Sequence, residues 1–434
     1  MKQRQVRVIF IHTICIVLFY WLVMPVFAFD EKGLLTRNFA GWNFKLGLNE
    51  RFRQEYKRNF DFNKSLKDNG CLFFNRVMVN LKASFKDISE VFVEGLDAQE
   101  WAYHIKPIVN QRDNFDLHQL FLRFNNIGSQ PVDFKAGRQE IQYGKGRLIA
   151  APIWSNAIRS FDAIVLHIHP QQAYYDFLFA EVVKYNTDNF NKIQHKEKLM
   201  GAYVGCMWDK IAMFIEGYFL PQIIRGDAKT SRYTVGSRIH GKLFSNLLYD
   251  FELPYQFGKT AGKTIKAYAI HFDLTAGYSS VPLGPVFNII YNQASGDKNP
   301  NDKKTNTFIP LYQSTHAPYG LMDFFRWENM REFAAKITLN INQQFRIIPQ
   351  TNFFWLMSKN DSWYNSSGTA LRTKTTGDRD YYVGQEISLR IQYDFIKNIK
   401  LEVGGAHFFT GGYVKDTGPN NDADWLYAQI SFKI

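Results

Sequence analysis

Between Tyr268 and Ala276 every second residue is apolar: Tyr268, Ile270, Phe272, Leu274 and Ala276 fall on one side, and Ala269, His271, Asp273 and Thr275 on the other. The same two-residue period returns in Phe333–Ile341, where Lys336, Thr338, Asn340 and Asn342 form the polar side. It returns again in Ile387–Tyr393, opposite Ser388, Arg390, Gln392 and Asp394, and in Leu426–Ile434, which alternates up to the last residue. Side chains of a strand point alternately to opposite faces. A chain built of such segments needs an apolar surrounding on one side of its sheet and water on the other.

Reading this period along the chain predicts strands at 42–53, 71–84, 89–97, 116–125, 132–141, 161–168, 173–184, 199–208, 211–220, 231–239, 243–256, 265–276, 284–296, 331–341, 346–358, 384–395, 398–410 and 423–434. The connections after odd strands are long or fairly long: 54–70, 98–115, 142–160, 185–198, 221–230, 257–264, 297–330, 359–383 and 411–422. After even strands they are short, as at 126–131, 169–172, 209–210, 342–345 and 396–398. Long and short in strict turn means up-and-down strand order with the elaborate loops at one end. A sheet in lipid must close on itself, because an open edge leaves backbone groups unpaired. The reading is therefore all-β: a transmembrane antiparallel up-and-down β-barrel of about 18 strands, with long external loops and short periplasmic turns.

The first thirty residues agree with that destination. Lys2, Arg4 and Arg7 precede an uncharged run from Val8 to Val26, which ends in the small-residue pattern Val26-Phe27-Ala28. This is the form of a secretory signal peptide cleaved after Ala28. Residues 1–28 are thus expected to be removed, leaving 29–434 as one barrel, placed in the outer membrane of a Gram-negative bacterium. Cys15 leaves with the signal, and Cys71 and Cys206 form at most one bridge, too few for a disulfide framework.

The formal charge of +12 drops to about +9 without the signal and favours anionic partners. Nucleic acid is not among those expected, since no helix-turn-helix, zinc-finger or RRM pattern is present. Nor is an enzyme: no HExxH, no GxSxG elbow and no GxxxxGK[ST] loop occurs.

Charge concentrates in GRQEIQYGKGRLI, residues 137–149, which runs into the third external connection. A loop in this position folds inward and narrows the lumen of a large barrel. Arg138, Lys145, Arg147 and Arg159 are then expected at a constriction, with Glu140 and Asp162 pinning guanidinium groups by paired hydrogen bonds and Trp154 packing beside them. The alternative use of Arg138, Arg159 and Asp162 is an ion-pair lattice that stiffens the loop. Parity along the strands adds Arg51, Arg53, Arg76, Lys82, Arg123 and Arg390 to the lumen wall. On the lipid side each would cost roughly 2–4 kcal/mol near the midplane.

GRQEIQYGKGRLI continues as IWSNAIRSFDAI, and with EVFVEGLDAQEW (90–101), ASGDKNPNDKKTNTFIPLYQSTHAPYG (294–320) and KNIKLEVGGAHFFTGGYV it resembles the alginate export (AlgE-like) outer-membrane proteins. The resemblance implies an 18-stranded barrel whose electropositive pore passes an acidic polysaccharide, alginate or a similar uronate polymer, outward by passive diffusion. It singles out Arg138, Arg147 and Arg159 as pore charges; Lys145 of the charged loop and, by strand parity, Arg76, Arg123 and Arg390 are read as further pore cations. The alternative reading is a general or anion-selective porin for small solutes. Expected partners are the polymer, the outer-membrane bilayer, the barrel-assembly machinery, which meets Ile434 in place of a terminal aromatic, and periplasmic export components. No cofactor is expected, except that Asp297, Asn299 and Asp302 begin like a calcium loop on an external connection. Segment 320–332, GLMDFFRWENMRE, is expected to add a short helix to the same connection.

Overall fold

The computed structural model describes residues 28–29, 35–64, 69–108, 111–226, 228–314, 316, 318–373 and 379–434; the expected signal peptide lies outside them except for Ala28. The chain forms a closed antiparallel barrel. Its strands are β1 (Trp42–Arg58), β2 (Gly70–Phe85), β3 (Ser89–Tyr103), β4 (Asp113–Phe124), β5 (Val132–Gln139) and β6 (Phe161–Ile168). There follow β7 (Ala173–Lys184), β8 (Lys192–Trp208), β9 (Met213–Ile224), β10 (Thr230–Phe244), β11 (Leu247–Thr260) and β12 (Lys263–Gly277). The last six are β13 (Val286–Ala294), β14 (Met330–Asn340), β15 (Phe345–Trp355), β16 (Tyr382–Ile396), β17 (Ile399–Thr410) and β18 (Ala423–Lys433). Each pairs with its sequence neighbours, and β18 closes on β1 from Asp424↔Arg58 to Lys433↔Asn49.

Every strand expected from the alternation is present, and the apolar faces point outward. Phe52, Phe219, Phe333, Ile387, Leu389, Leu426 and Ile430 all lie exposed on the outer surface. The connections depart from strict alternation at one place. Between β11 and β12 the chain needs only Ala261 and Gly262, both at positive φ, for a two-residue hairpin of the primed kind. Residues 257–260 and 263–264 are therefore wall rather than loop, and the neighbouring periplasmic turn 278–285 is the longer one. The outward apolar series Leu253, Tyr255 and Phe257 stops at Lys259, so the alternation does not reveal the last residues of the strand.

A strand before the barrel proper, Leu35–Phe39, pairs with the periplasmic end of β1 from Leu35↔Leu46 to Phe39↔Trp42. It continues the seam where β18 stops, just beyond the bond from Ile434 N to Leu48 O (2.9 Å).

The external half of the lumen is not an open polar tube. Loops L3 (140–160), L7 (295–329), L8 (356–381) and L9 (411–422) fold into it. Phe308, Phe324, Phe325 and Trp327 of L7 join Trp363 of L8 and Tyr413 of L9 in one apolar core with the inward wall residues Phe354 and Phe408. Phe325 and Phe354 stack with centroids 3.8 Å apart and planes 8° from parallel. L9 carries α1 (Gly412–Thr417). No helix forms over 320–332, contrary to the sequence expectation. Its aromatic residues point into the shared core from an irregular, bent backbone, which Glu386 of the wall holds by accepting hydrogen bonds from Leu321 N (2.6 Å) and Met322 N (3.1 Å).

Glu328 is buried in this plug beside Arg326 Nε (3.1 Å). Burial raises its carboxyl to about 7 despite the arginine. A raised folded-state value means that its contribution to loop stability is full below the ordinary carboxylate range and is lost as pH rises through about 7. Opening events in planar bilayers are expected to become more frequent from pH 5.5 to pH 8, and Glu328→Gln is expected to remove that rise. A slope that survives in the variant would assign it to another group.

Candidate functional site: a lumen sealed by paired loops

L3 crosses the lumen and meets L7 in a short parallel pairing, Ile149 beside Tyr312. Ala150 N donates to Tyr312 O (2.8 Å), Tyr312 N to Leu148 O (2.7 Å) and Ser314 N to Gly146 O (2.9 Å). The glycines of GRQEIQYGKGRLI make this path possible: Gly144 and Gly146 both sit at positive φ, and a side chain on Gly146 would collide with Ala150.

The arginines of the region hold the seal. Arg51 donates to Ile153 O (2.9 Å), Ser155 O (3.3 Å) and Asn156 Oδ1 (3.2 Å), and Arg76 donates to Ile153 O (2.9 Å) and Ser155 O (3.0 Å). Arg53 donates to Trp154 O (2.7 Å) and pairs with Glu55 (2.8 Å). Arg147 reaches across the lumen to Glu252 (2.5 Å) and Asp250 (3.1 Å) of β11. Burial works to lower its pKa, and those two carboxylates outweigh it, so the guanidinium stays charged. Arg159 donates to Tyr312 O (2.9 Å) and Ala150 O (3.3 Å), locking L3 to L7, and burial lowers its pKa.

Two expectations about the charged stretch fail in the structure. Arg138 faces outward: it pairs across the sheet with Leu120, 43% exposed, and with Asp162, two residues from the 49% exposed Ile164. It binds Asp162 through Nε (2.8 Å) and Nη2 (3.3 Å), and donates to Leu117 O and Asn191 O. This pair braces the wall near the external rim and is not in the lumen. Glu140 pins no guanidinium; it is bonded to His118 Nε2 (2.8 Å). Arg123 does face the lumen, paired with Asp133 (2.5 Å) near the periplasmic mouth.

What remains open is the periplasmic half. One cavity of about 860 Å³ is lined by Lys145, Arg147, Arg238, His240, Lys242, His271 and Lys336 against only two carboxylates, Asp250 and Asp273. Asp250 is taken by Arg147 and Arg238. Lys336 is within electrostatic range of Arg390, Asp273 and Lys145. Lys145, Lys242, Lys336 and Arg390 make no ion pair among the described residues. A second cavity, of about 1310 Å³, opens beside β1, β2 and the 397–398 turn. Trp154 lines both this cavity and one of about 530 Å³ on the external side. Its indole stacks on His316 (centroids 3.8 Å, planes 12° apart), and the Arg53 guanidinium lies 4.0 Å from its centroid. It is thus the partition between the two sides.

A family profile described as alginate export matches residues 43–427. The chain belongs to the alginate export family. No curated protein matches it. Among solved structures, the Pseudomonas aeruginosa outer membrane protein OpdK, crystallised with vanillate, aligns with a TM-score of 0.63 at 10% identity over 90% of this chain and 98% of that one. OpdQ of the same organism aligns with a TM-score of 0.59 at 13% identity over the same shares. At such identities these two share the fold. This member of the alginate export family is an outer-membrane channel protein, a barrel spanning the outer membrane.

Several residues of this family member were not singled out from the sequence. Lys336 was visible as a polar-face position, Lys242 fell between the strands expected at 231–239 and 243–256, and the lack of an ion pair at either among the described residues was not visible. His118 and His316 depend on a strand irregularity and on loop packing. Asp297, Asn299 and Asp302 each accept a bond from backbone N two residues on, at Asn299 (3.2 Å), Asn301 (3.3 Å) and Lys304 (2.7 Å). Cys71 and Cys206 are unpaired.

Proposed function

We propose that this protein conducts an anionic polysaccharide of the uronate class, alginate or a similar polymer, from the periplasm outward, as a passive conduit without chemistry of its own. One observation carries the reading: Lys145, Lys242, Lys336 and Arg390 stand in or beside the periplasmic vestibule and make no ion pair among the described residues, while Asp250 there is engaged by arginines and Asp273 accepts hydrogen bonds from Thr275 and Asn288. Carboxylates of a polymer exchange part of their hydration for contacts with such cations, and several weak sites in a row avoid a trap. The sealed external half gives the conduit a resting closed state. Barrel-assembly machinery and periplasmic export components are the partners this role needs.

A second reading is a porin for small carboxylates. It is favoured by the vestibule's size and by the vanillate bound in the fold neighbour OpdK.

Planar-bilayer recording with oligouronate or vanillate added to each side separates them. Block by oligouronate from the periplasmic face, growing with chain length, is the expected result for the conduit. Equal block by the monomeric acid would favour the porin.

Trp154→Ala is expected to join the periplasmic and external cavities. Removing a large aromatic leaves a void that its surroundings fill only in part. Unitary conductance should rise about twofold or more, and an unchanged conductance would place the partition elsewhere.

A further inference from the structure

We propose that Glu94, His118 and Glu140 form a site for a divalent cation of the zinc class on the lumen wall, at the root of L3. One ligand atom from each lies within 4.8 Å of the other two. His118 Nε2 is 2.8 Å from Glu140 Oε1 and 3.9 Å from Glu94 Oε1.

The strand geometry is arranged around the imidazole. Along the β3–β4 ladder Glu94 pairs with Gln119 and Gly95 with Leu117, so that His118 is the extra residue of a β-bulge. Regular alternation puts residue 118 on the face opposite Gln119, towards lipid; the bulge turns it inward, where it is buried between two carboxylates.

The carboxylates are held from outside the cluster, as metal-bound carboxylates are. Gln119 Nε2 donates to Glu94 Oε1 (2.9 Å) and Asn80 Nδ2 to Glu94 Oε2 (3.2 Å), while Gln119 Oε1 accepts from Glu140 N (3.1 Å). Arg76, on the adjoining strand, lies within electrostatic range of both carboxylates but makes no ion pair with either among the described residues, its Nη1 being bonded to the L3 carbonyls of Ile153 and Ser155. Two carboxylates thus converge on one imidazole at close range, a geometry that a dication completes.

One nitrogen and two oxygens suit zinc, whereas calcium takes oxygen ligands in larger number. Three protein ligands leave one position free, and Glu94, Gln119 and Glu140 border the larger periplasmic cavity, so that position opens on the lumen. A cation here ties the first residue of L3 to β3 and β4. It also replaces two negative charges on the vestibule wall by a neutral centre.

The test uses the full-length barrel in detergent, stripped with chelator and then dialysed against zinc chloride or calcium chloride, with bound metal measured by mass spectrometry. Wild type is expected to hold one zinc equivalent more than His118→Ala and Glu140→Gln. In a zinc titration each variant should weaken binding by at least about tenfold. Cobalt chloride supplies an independent reading, a visible absorption band present in wild type and absent in both variants. His195→Ala, at the exposed rim, should bind as wild type does. If His118→Ala does not fold, judged by heat-modifiable migration, Glu140→Gln lies in the loop and carries the comparison alone. Equal zinc in wild type and Glu140→Gln, or calcium bound in preference to zinc, would overturn the assignment.

Discussion

Arg51→Met combined with Arg76→Met is expected to open the channel. These two guanidinium groups hold the carbonyls of Ile153 and Ser155 in the middle of the lumen, and no other described cation reaches those two oxygens. A hydrogen bond from a charged donor contributes about 1.5–3 kcal/mol, so losing the set loosens L3 by on the order of 5 kcal/mol. Methionine keeps most of the apolar stem and leaves no buried charge. The expected result is a several-fold rise in unitary conductance, with trypsin cutting at Arg147, which the wild-type fold buries. Unchanged conductance and unchanged cleavage in a folded barrel would mean that the L3–L7 pairing and the Arg147 and Arg159 contacts hold the loop unaided.

The second large effect concerns selectivity. Lys145→Gln, Lys336→Gln and Arg390→Gln together remove three unpaired cations that feel one another's field. A single charge at about 4 Å contributes roughly 1 kcal/mol in water and more beside a low-dielectric wall. The preference for chloride over potassium, read from the reversal potential in a salt gradient, should therefore fall by about fivefold or more. Neutralising Arg147 instead would leave Glu252 without an arginine while Arg238 still holds Asp250, and the same measurement should then also move towards cations. If the triple variant keeps the wild-type reversal potential, the vestibule is not what sorts the ions.

These two predictions draw on different parts of what the sequence discloses. The wall was legible because lipid on one side and water on the other impose a strict period of two, and Phe333/Lys336 or Leu389/Arg390 obey it. Inward placement of Arg51, Arg76, Arg123, Lys145, Arg147 and Arg390 agrees with the structure. What those charges touch was not legible, since their partners come from remote segments: Arg147 meets β11, and Arg51 meets a loop backbone. Arg138 misleads because an ion pair with Asp162 makes a charge tolerable on an outward strand position near the rim. His118 misleads in the other direction, because one inserted residue reverses parity without leaving a mark in composition. The aromatic filling of the external half was hidden as well, for Phe324, Phe325 and Trp327 read as part of a helix until their packing against Trp363 and Phe354 is seen.

The pairing of Ile149 with Tyr312 brings together chain segments far apart in sequence, and Arg53 adds a contact from near the start of the chain. Closing loops of that length carries an entropy cost that is met only when the strands between them are in place. The barrel must therefore insert and zip shut before its cork can form. For an interval during biogenesis each new molecule is an unstoppered hole, and the cell's permeability barrier depends on how quickly that last step follows.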